Sequence, residues 1–162
     1  MEKLKVIRLD ITDWGMSLGG EHYYAKMWYR DDGEWQSLEL YTKLTAKDAK
    51  YLNEKDGEDL YTKGDSSLRF NTINDAVKEA LCQSQKLGIE VDLILSNFGS
   101  ASVSEALWSK DKKIAKRINE LYTKAEKIGW YSSNRFPNKI QDEKMEAIDS
   151  EFHNILETGE VK

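Results

Sequence analysis

A chain of 162 residues is the size of one domain, long enough to bury a core without disulfides or a structural metal. Hydrophobic residues at 40%, charged residues at 33% and a single proline beside ten glycines argue against long disordered linkers, and no apolar run approaches the roughly 18 residues of a membrane-spanning helix. The net charge of −5 argues against a generic nucleic-acid binder with a basic charge over the whole domain.

The residues from Met1 to Leu4 lead straight into a strand pattern without a signal-peptide core. The lone Cys82 rules out an internal disulfide and every cysteine-based zinc pattern, so a reducing, cytoplasmic setting is expected. Lys3 to Asp13 reads as a central strand, because the apolar parity shifts between Leu4/Val6 and Ile7/Leu9/Ile11 and implies burial on both faces or a bulge. Gly15, Gly19 and Gly20 mark a flexible connection, after which Tyr23, Ala25, Met27 and Tyr29 alternate with His22, Tyr24, Lys26, Trp28 and Arg30. A tight turn at Asp31-Asp32-Gly33 and a strand from Glu34 to Thr42 complete an antiparallel three-stranded meander over residues 1–42.

Residues 43–71 read as an insertion of helix and loop. Thr45 and Asp48 form a capping box for a short helix, Asp56-Gly57 ends it, Lys63 to Ser67 reads as loop, and Leu68 with Phe70 suits a brief edge strand. Over 72–99, Ile73, Ala76, Val77, Ala80, Leu81, Ser84 and Leu87 line one helix face. Gly88 stops that helix, and Ile89, Val91, Leu93 and Leu95 alternate as a strand. The segment 100–162 reads as helical. Ser102 and Glu105 make a second capping box for a helix reaching Trp108, and Asp111 restarts a longer helix carrying Ile114, Ala115, Ile118, Leu121, Tyr122, Ala125 and Ile128 up to Gly129. Pro137-Asn138 precedes a last helix with Met145, Ile148, Phe152, Ile155 and Leu156. The expected class is α+β: a single domain with a sheet of four or five strands packed by helices, and a helical C-terminal third.

Chemistry is sparsely signalled. His22 and His153 lack a ligand partner at zinc spacing, and Cys82 falls on the polar face of its helix without a neighbouring base, so no catalytic thiol and no cofactor are expected. The turn Asn97 to Ser102 joins a strand end to a helix start but lacks the Lys-Ser/Thr of a phosphate-binding loop and the spaced glycines of a dinucleotide fingerprint. Asp10, Asp13, Asp75 and Asp92 are the carboxylates that strand and helix ends could gather around Mg²⁺. The order of three strands, helix, strand and helices over residues 1 to about 100 resembles the ribonuclease H fold. That resemblance implies a metal-dependent nuclease, or its inactive descendant, with Asp13 and Asp75 or Glu79 as metal ligands; Asn97 stands where the family's next aspartate is expected.

Eight cations against three carboxylates give residues 110–136 a net charge of +5, and Lys112, Lys113, Lys116 and Arg117 on the helix form a possible contact for single-stranded nucleic acid. The same charges suit a solvated helix face. On the meander, Tyr24, Trp28 and Trp35 beside Lys26 and Arg30 have the composition of a protein interface, unless the insertion from Thr45 to Gly64 covers them. The loop with Trp130, Tyr131, Arg135 and Phe136 is a second aromatic patch. The leading expectation is a non-catalytic interaction or regulatory protein whose partner is another protein. A small acidic inhibitor that occludes a nucleic-acid-binding surface, in the manner of nuclease inhibitors and phage anti-defence proteins such as anti-CRISPRs, is one form of it.

Overall fold

The computed structural model describes residues 4–17, 20–31, 33–57, 59–68, 70–96, 103–128 and 139–161. Along these, the elements are β1 (Val6–Ser17), β2 (Gly20–Asp31), β3 (Glu34–Glu39), β4 (Thr42–Lys43), α1 (Ala46–Asp56), β5 (Ser66–Ser67), α2 (Ile73–Lys86), β6 (Leu93–Ser96), β7 (Ala106–Ser109), α3 (Lys112–Ile128) and α4 (Lys139–Thr158). Five strands form one mixed sheet in the order β3-β2-β1-β6-β7, and β4 and β5 form a small second sheet. With its four helices and helical C-terminal part, the chain is of the α+β class. Contacts cluster into two compact units, one of Asp10–Gly88 and one of Met1–Leu9 with Ile89–Lys162.

In the unit of residues 10–88, β2 and β3 pair antiparallel from Lys26 opposite Glu39 to Asp31 opposite Glu34. Gly33 takes a φ of 81° at the turn, a left-handed conformation that glycine adopts without a Cβ clash. Ala25 and Met27 on β2 are buried and face α2, whose buried side is Ala76, Val77, Ala80 and Ser84; the Ser84 Oγ lies 4.0 Å from the Met27 sulfur. The expected helix stripe therefore holds in its middle, while its ends, Ile73 and Leu87, are exposed. Thr45 caps α1 as its spacing predicts, and Thr72 caps α2 in the same way, each side-chain oxygen accepting the backbone N–H three residues on, from Asp48 and Asp75 respectively.

Four expectations in this unit are corrected. Gly15 and Gly20 lie within β1 and β2 rather than in a flexible connection, because ladder pairing outweighs the weak strand preference of glycine. The strand expected from Glu34 to Thr42 ends at Glu39. Leu40 is fully buried and donates its N–H to the Ala25 carbonyl at 3.0 Å, and the chain then leaves to pair Thr42 and Lys43 with Ser67 and Ser66. Ser66 and Ser67 are thus strand rather than loop, held by Leu44 donating to the Asp65 carbonyl and Gly64 to the Leu44 carbonyl, and Phe70 makes an isolated bridge with Tyr23 instead of an edge strand.

In the other unit, Val6 to Leu9 of β1 pair parallel with Leu93 to Ser96 of β6, and β6 pairs antiparallel with β7. All four residues of β6 are buried, so the strand is covered on both faces instead of alternating, and the residues before Leu93 form its approach. Asp92 fixes that approach by accepting the Lys5 N–H at 2.8 Å. The helix expected after Ser102 is a strand, β7. Glu105 donates its N–H to the Ser96 Oγ and accepts the Ser96 N–H, so its backbone is satisfied sideways, by β6, rather than along a helix. Leu93, Leu95 and Val103 meet Ile114, Ile118 and Leu121 of α3 and Met145, Ile148, Phe152 and Ile155 of α4 in the core of this unit.

Candidate interaction surface

Alternation along β2 decides which side chains remain for function. With Ala25 and Met27 turned towards α2, Tyr24, Lys26, Trp28 and Arg30 share the opposite face, and register places Trp35 across from Arg30, Ser37 across from Trp28 and Glu39 across from Lys26. The Lys26 ammonium sits 5.4 Å from the Trp28 ring centre and the Arg30 guanidinium 5.6 Å from that of Trp35. Both are within cation–π reach, which draws each cation towards the face of its ring. Trp35 keeps 45% of its surface exposed and Arg30 is exposed, whereas Tyr24, Lys26 and Trp28 are half-buried. The Trp28 indole N–H is buried with no acceptor among the described residues.

The edge of this hairpin is as informative as its face. The bond from the Leu40 N–H to the Ala25 carbonyl sets the phase of the β2–β3 ladder, so positions 34, 36, 38 and 40 bond towards β2 while Trp35, Ser37 and Glu39 direct N–H and C=O away from it. Because β3 is the last strand on its side of the sheet, those groups point off the sheet. Every β3 residue except Leu38 is exposed. The last strand on the other side, β7, is finished differently. The Asn119 amide of α3 accepts the Ala106 N–H at 2.8 Å and donates to the Ala106 carbonyl at 3.2 Å, as a neighbouring strand would. Proteins usually blunt sheet edges in some such way.

The remaining candidates fall elsewhere. Trp130, Tyr131, Arg135 and Phe136 lie outside the described residues, as does the Asn97 to Ser102 turn. Lys112, Lys113 and Lys116 are exposed on α3, but Arg117 turns to α4. Its guanidinium donates to both Glu151 carboxylate oxygens, one at 2.7 Å, and to Glu120 at 2.8 Å, and these carboxylates push its already high pKa further up. Lys110 donates to Glu90 at 3.0 Å; this bond, with Lys5 adding to it, holds the Glu90 carboxyl below its ordinary range.

Among the described residues no group of three His, Cys, Asp or Glu side chains could hold a metal ion. The Asp13 side chain lies outside the described set, Asp75 is exposed in the first turn of α2, and Asp92 serves Lys5. The order of three strands, helix and strand that carries the ribonuclease H resemblance is present, with β4, α1 and β5 inserted and antiparallel β7 following β6. Cys82 is exposed on α2, and His153 lies 3.3 Å from Asp149 within α4. The groove beside α1 is a structural seam: the Asn53 amide there both accepts from and donates to the Tyr61 backbone.

Alternation gives the aromatic face from the sequence, but not the terminal place of β3 or the Asn119 clip. Strand order and a contact 13 residues apart leave no local signal. No described helix is long and apolar enough to cross a membrane. Comparison with protein-family models, curated proteins and solved structures gives no match.

Proposed function

We propose that this chain acts by binding another protein, as a non-catalytic regulatory or inhibitory molecule, through the outer face and edge of the β2–β3 hairpin. The observation that carries this reading is the Arg30–Trp35 pair: an exposed tryptophan under a guanidinium, on the terminal strand of the sheet. Tryptophan and arginine dominate binding hot spots because they bury a large area and still offer directional contacts. An acidic net charge of −5 favours approach to a basic partner, which suits occlusion of a nucleic-acid-handling enzyme and, as a particular case, an anti-defence role.

Affinity capture from the source cell with wild type, Trp35→Ala and Arg30→Ala tests it. A protein held by wild type and lost by both variants, whose circular dichroism is unchanged, is the expected result. Equal capture by all three contradicts the reading.

The exposed Lys112, Lys113 and Lys116 favour a second reading, single-stranded nucleic acid on α3. A gel shift that weakens with salt and with Lys113→Glu plus Lys116→Glu supports it, and its absence at low salt removes it.

A further inference from the structure

We infer that α3 holds nucleic acid by its phosphates alone, through a stripe of Lys113, Lys116, Lys124 and Lys127, and reads no base. The inference rests on the reading of α3 as a nucleic-acid surface, and names the part of the ligand which that surface touches.

At about 100° per residue, these four lysines fall within about 80° of arc and extend over about 21 Å of the helix. All four are exposed, and Lys112, also exposed, flanks them. The apolar stripe of Ile114, Ile118, Leu121 and Ala125 that joins the core lies on the other side of α3. Among the described residues none of these lysines makes an ion pair. Glu120, the carboxylate within the stripe, is held by the Arg117 guanidinium at 2.8 Å, so its charge is offset before a ligand arrives.

A helix face that meets only water gains from opposite charges four residues apart, as Lys50 and Glu54 stand on α1. The lysines of α3 do the reverse. Lys112 and Lys116 are four apart, and Lys113 with Lys116 and Lys124 with Lys127 are three apart, spacings at which like charges weaken a helix. Lys112 and Lys113 also occupy the first turn, where the helix dipole disfavours cations, whereas α1 and α2 carry Asp48 and Asp75 there. A polyanion relieves both effects by neutralising the row. A phosphodiester chain suits it better than an acidic protein surface, because its charges recur at every nucleotide and can engage all four lysines in any register. Lysines act as point charges and lack the planar fork that reads a base edge. Tyr122, the one aromatic residue of α3, lies away from the stripe and packs against the core, so this helix offers no ring on which a base could stack. The net charge of −5 repels a polyanion, so binding is weak and depends steeply on salt.

The test is fluorescence anisotropy of the full chain with an oligothymidylate of roughly 20 nucleotides, longer than a usual binding site, and with an abasic phosphodiester chain of the same length. The two are expected to bind within about threefold of each other. Four contacts to a single strand give a slope of log affinity against log salt of about −3, so binding is expected to fall about fifty-fold between about 50 and 200 mM. Lys113→Gln plus Lys124→Gln is expected to lower affinity at least tenfold at low salt and to halve the slope, with circular dichroism unchanged. Lys78→Gln plus Lys86→Gln removes the same charge from exposed positions on α2 and is expected to change affinity by less than about twofold. A preference of tenfold or more for the oligothymidylate over the abasic chain overturns this inference and leaves α3 as a nucleic-acid surface. Equal losses from the α2 and α3 variants overturn the stripe as the site. Binding of neither probe at low salt removes the reading and the inference together.

Discussion

Asn119 is a single side chain that closes a sheet edge. Asn119→Ala leaves the Ala106 N–H and carbonyl without their partner and is expected to cost about 1–3 kcal/mol in urea unfolding. Asn119→Asp keeps the acceptor for the N–H but loses the donor to the carbonyl, and is expected to fall between. At the exposed Lys110–Glu90 pair the effect is on titration. Glu90 has its folded pKa lowered from 4.5, so its contribution is present above that value and is lost as pH falls through the lower folded value. Carboxyl carbon titration is expected to show the Glu90 midpoint rising towards 4.5 in Lys110→Ala, with the shift shrinking at high salt, as for any solvent-exposed pair.

At the scale of elements, α4 is bound to its unit by an apolar stripe and an ionic clamp of different weight. Phe152→Ala empties a fully buried site and is expected to cost about 3–5 kcal/mol by denaturant titration. Arg117→Ala, which removes the guanidinium from the half-buried Glu151, is expected to cost only about 1 kcal/mol after allowance for solvent screening. What could be read from sequence at this scale was what the chain encodes locally. Thr45 and Thr72 cap their helices because the bond spans three residues, and Ile114, Ile118, Leu121 and Ala125 are buried together because their spacing puts them on one side of α3. Ser102 to Glu105 carries the same local signature as those caps, yet a strand follows, because Ser96 and Asn119 take the backbone groups from a distance. Arg117 looked like part of a basic face since its partner Glu151 is 34 residues away.

For the whole molecule, the proposed binding turns on how the sheet ends. One terminal strand is clipped by a side chain; the other, β3, presents outward backbone groups beneath an exposed Trp35 with Arg30 over its ring. Alternation along β2 made the aromatic face legible, but strand order, which makes β3 terminal, is a property of long-range pairing. The net charge of −5 adds a direction of approach, so capture by a basic partner is expected to weaken as salt rises from 50 to about 500 mM. Amide hydrogen exchange along β3, measured in the dilute chain and again in complex with the captured partner, tests the central claim most directly. The Ser37 and Glu39 amides are expected to exchange faster than those of Gln36 and Leu38 in the dilute chain, and at least tenfold more slowly in the complex. Exchange at Ser37 and Glu39 that is already as slow as at their neighbours, or that the partner leaves unchanged, contradicts it.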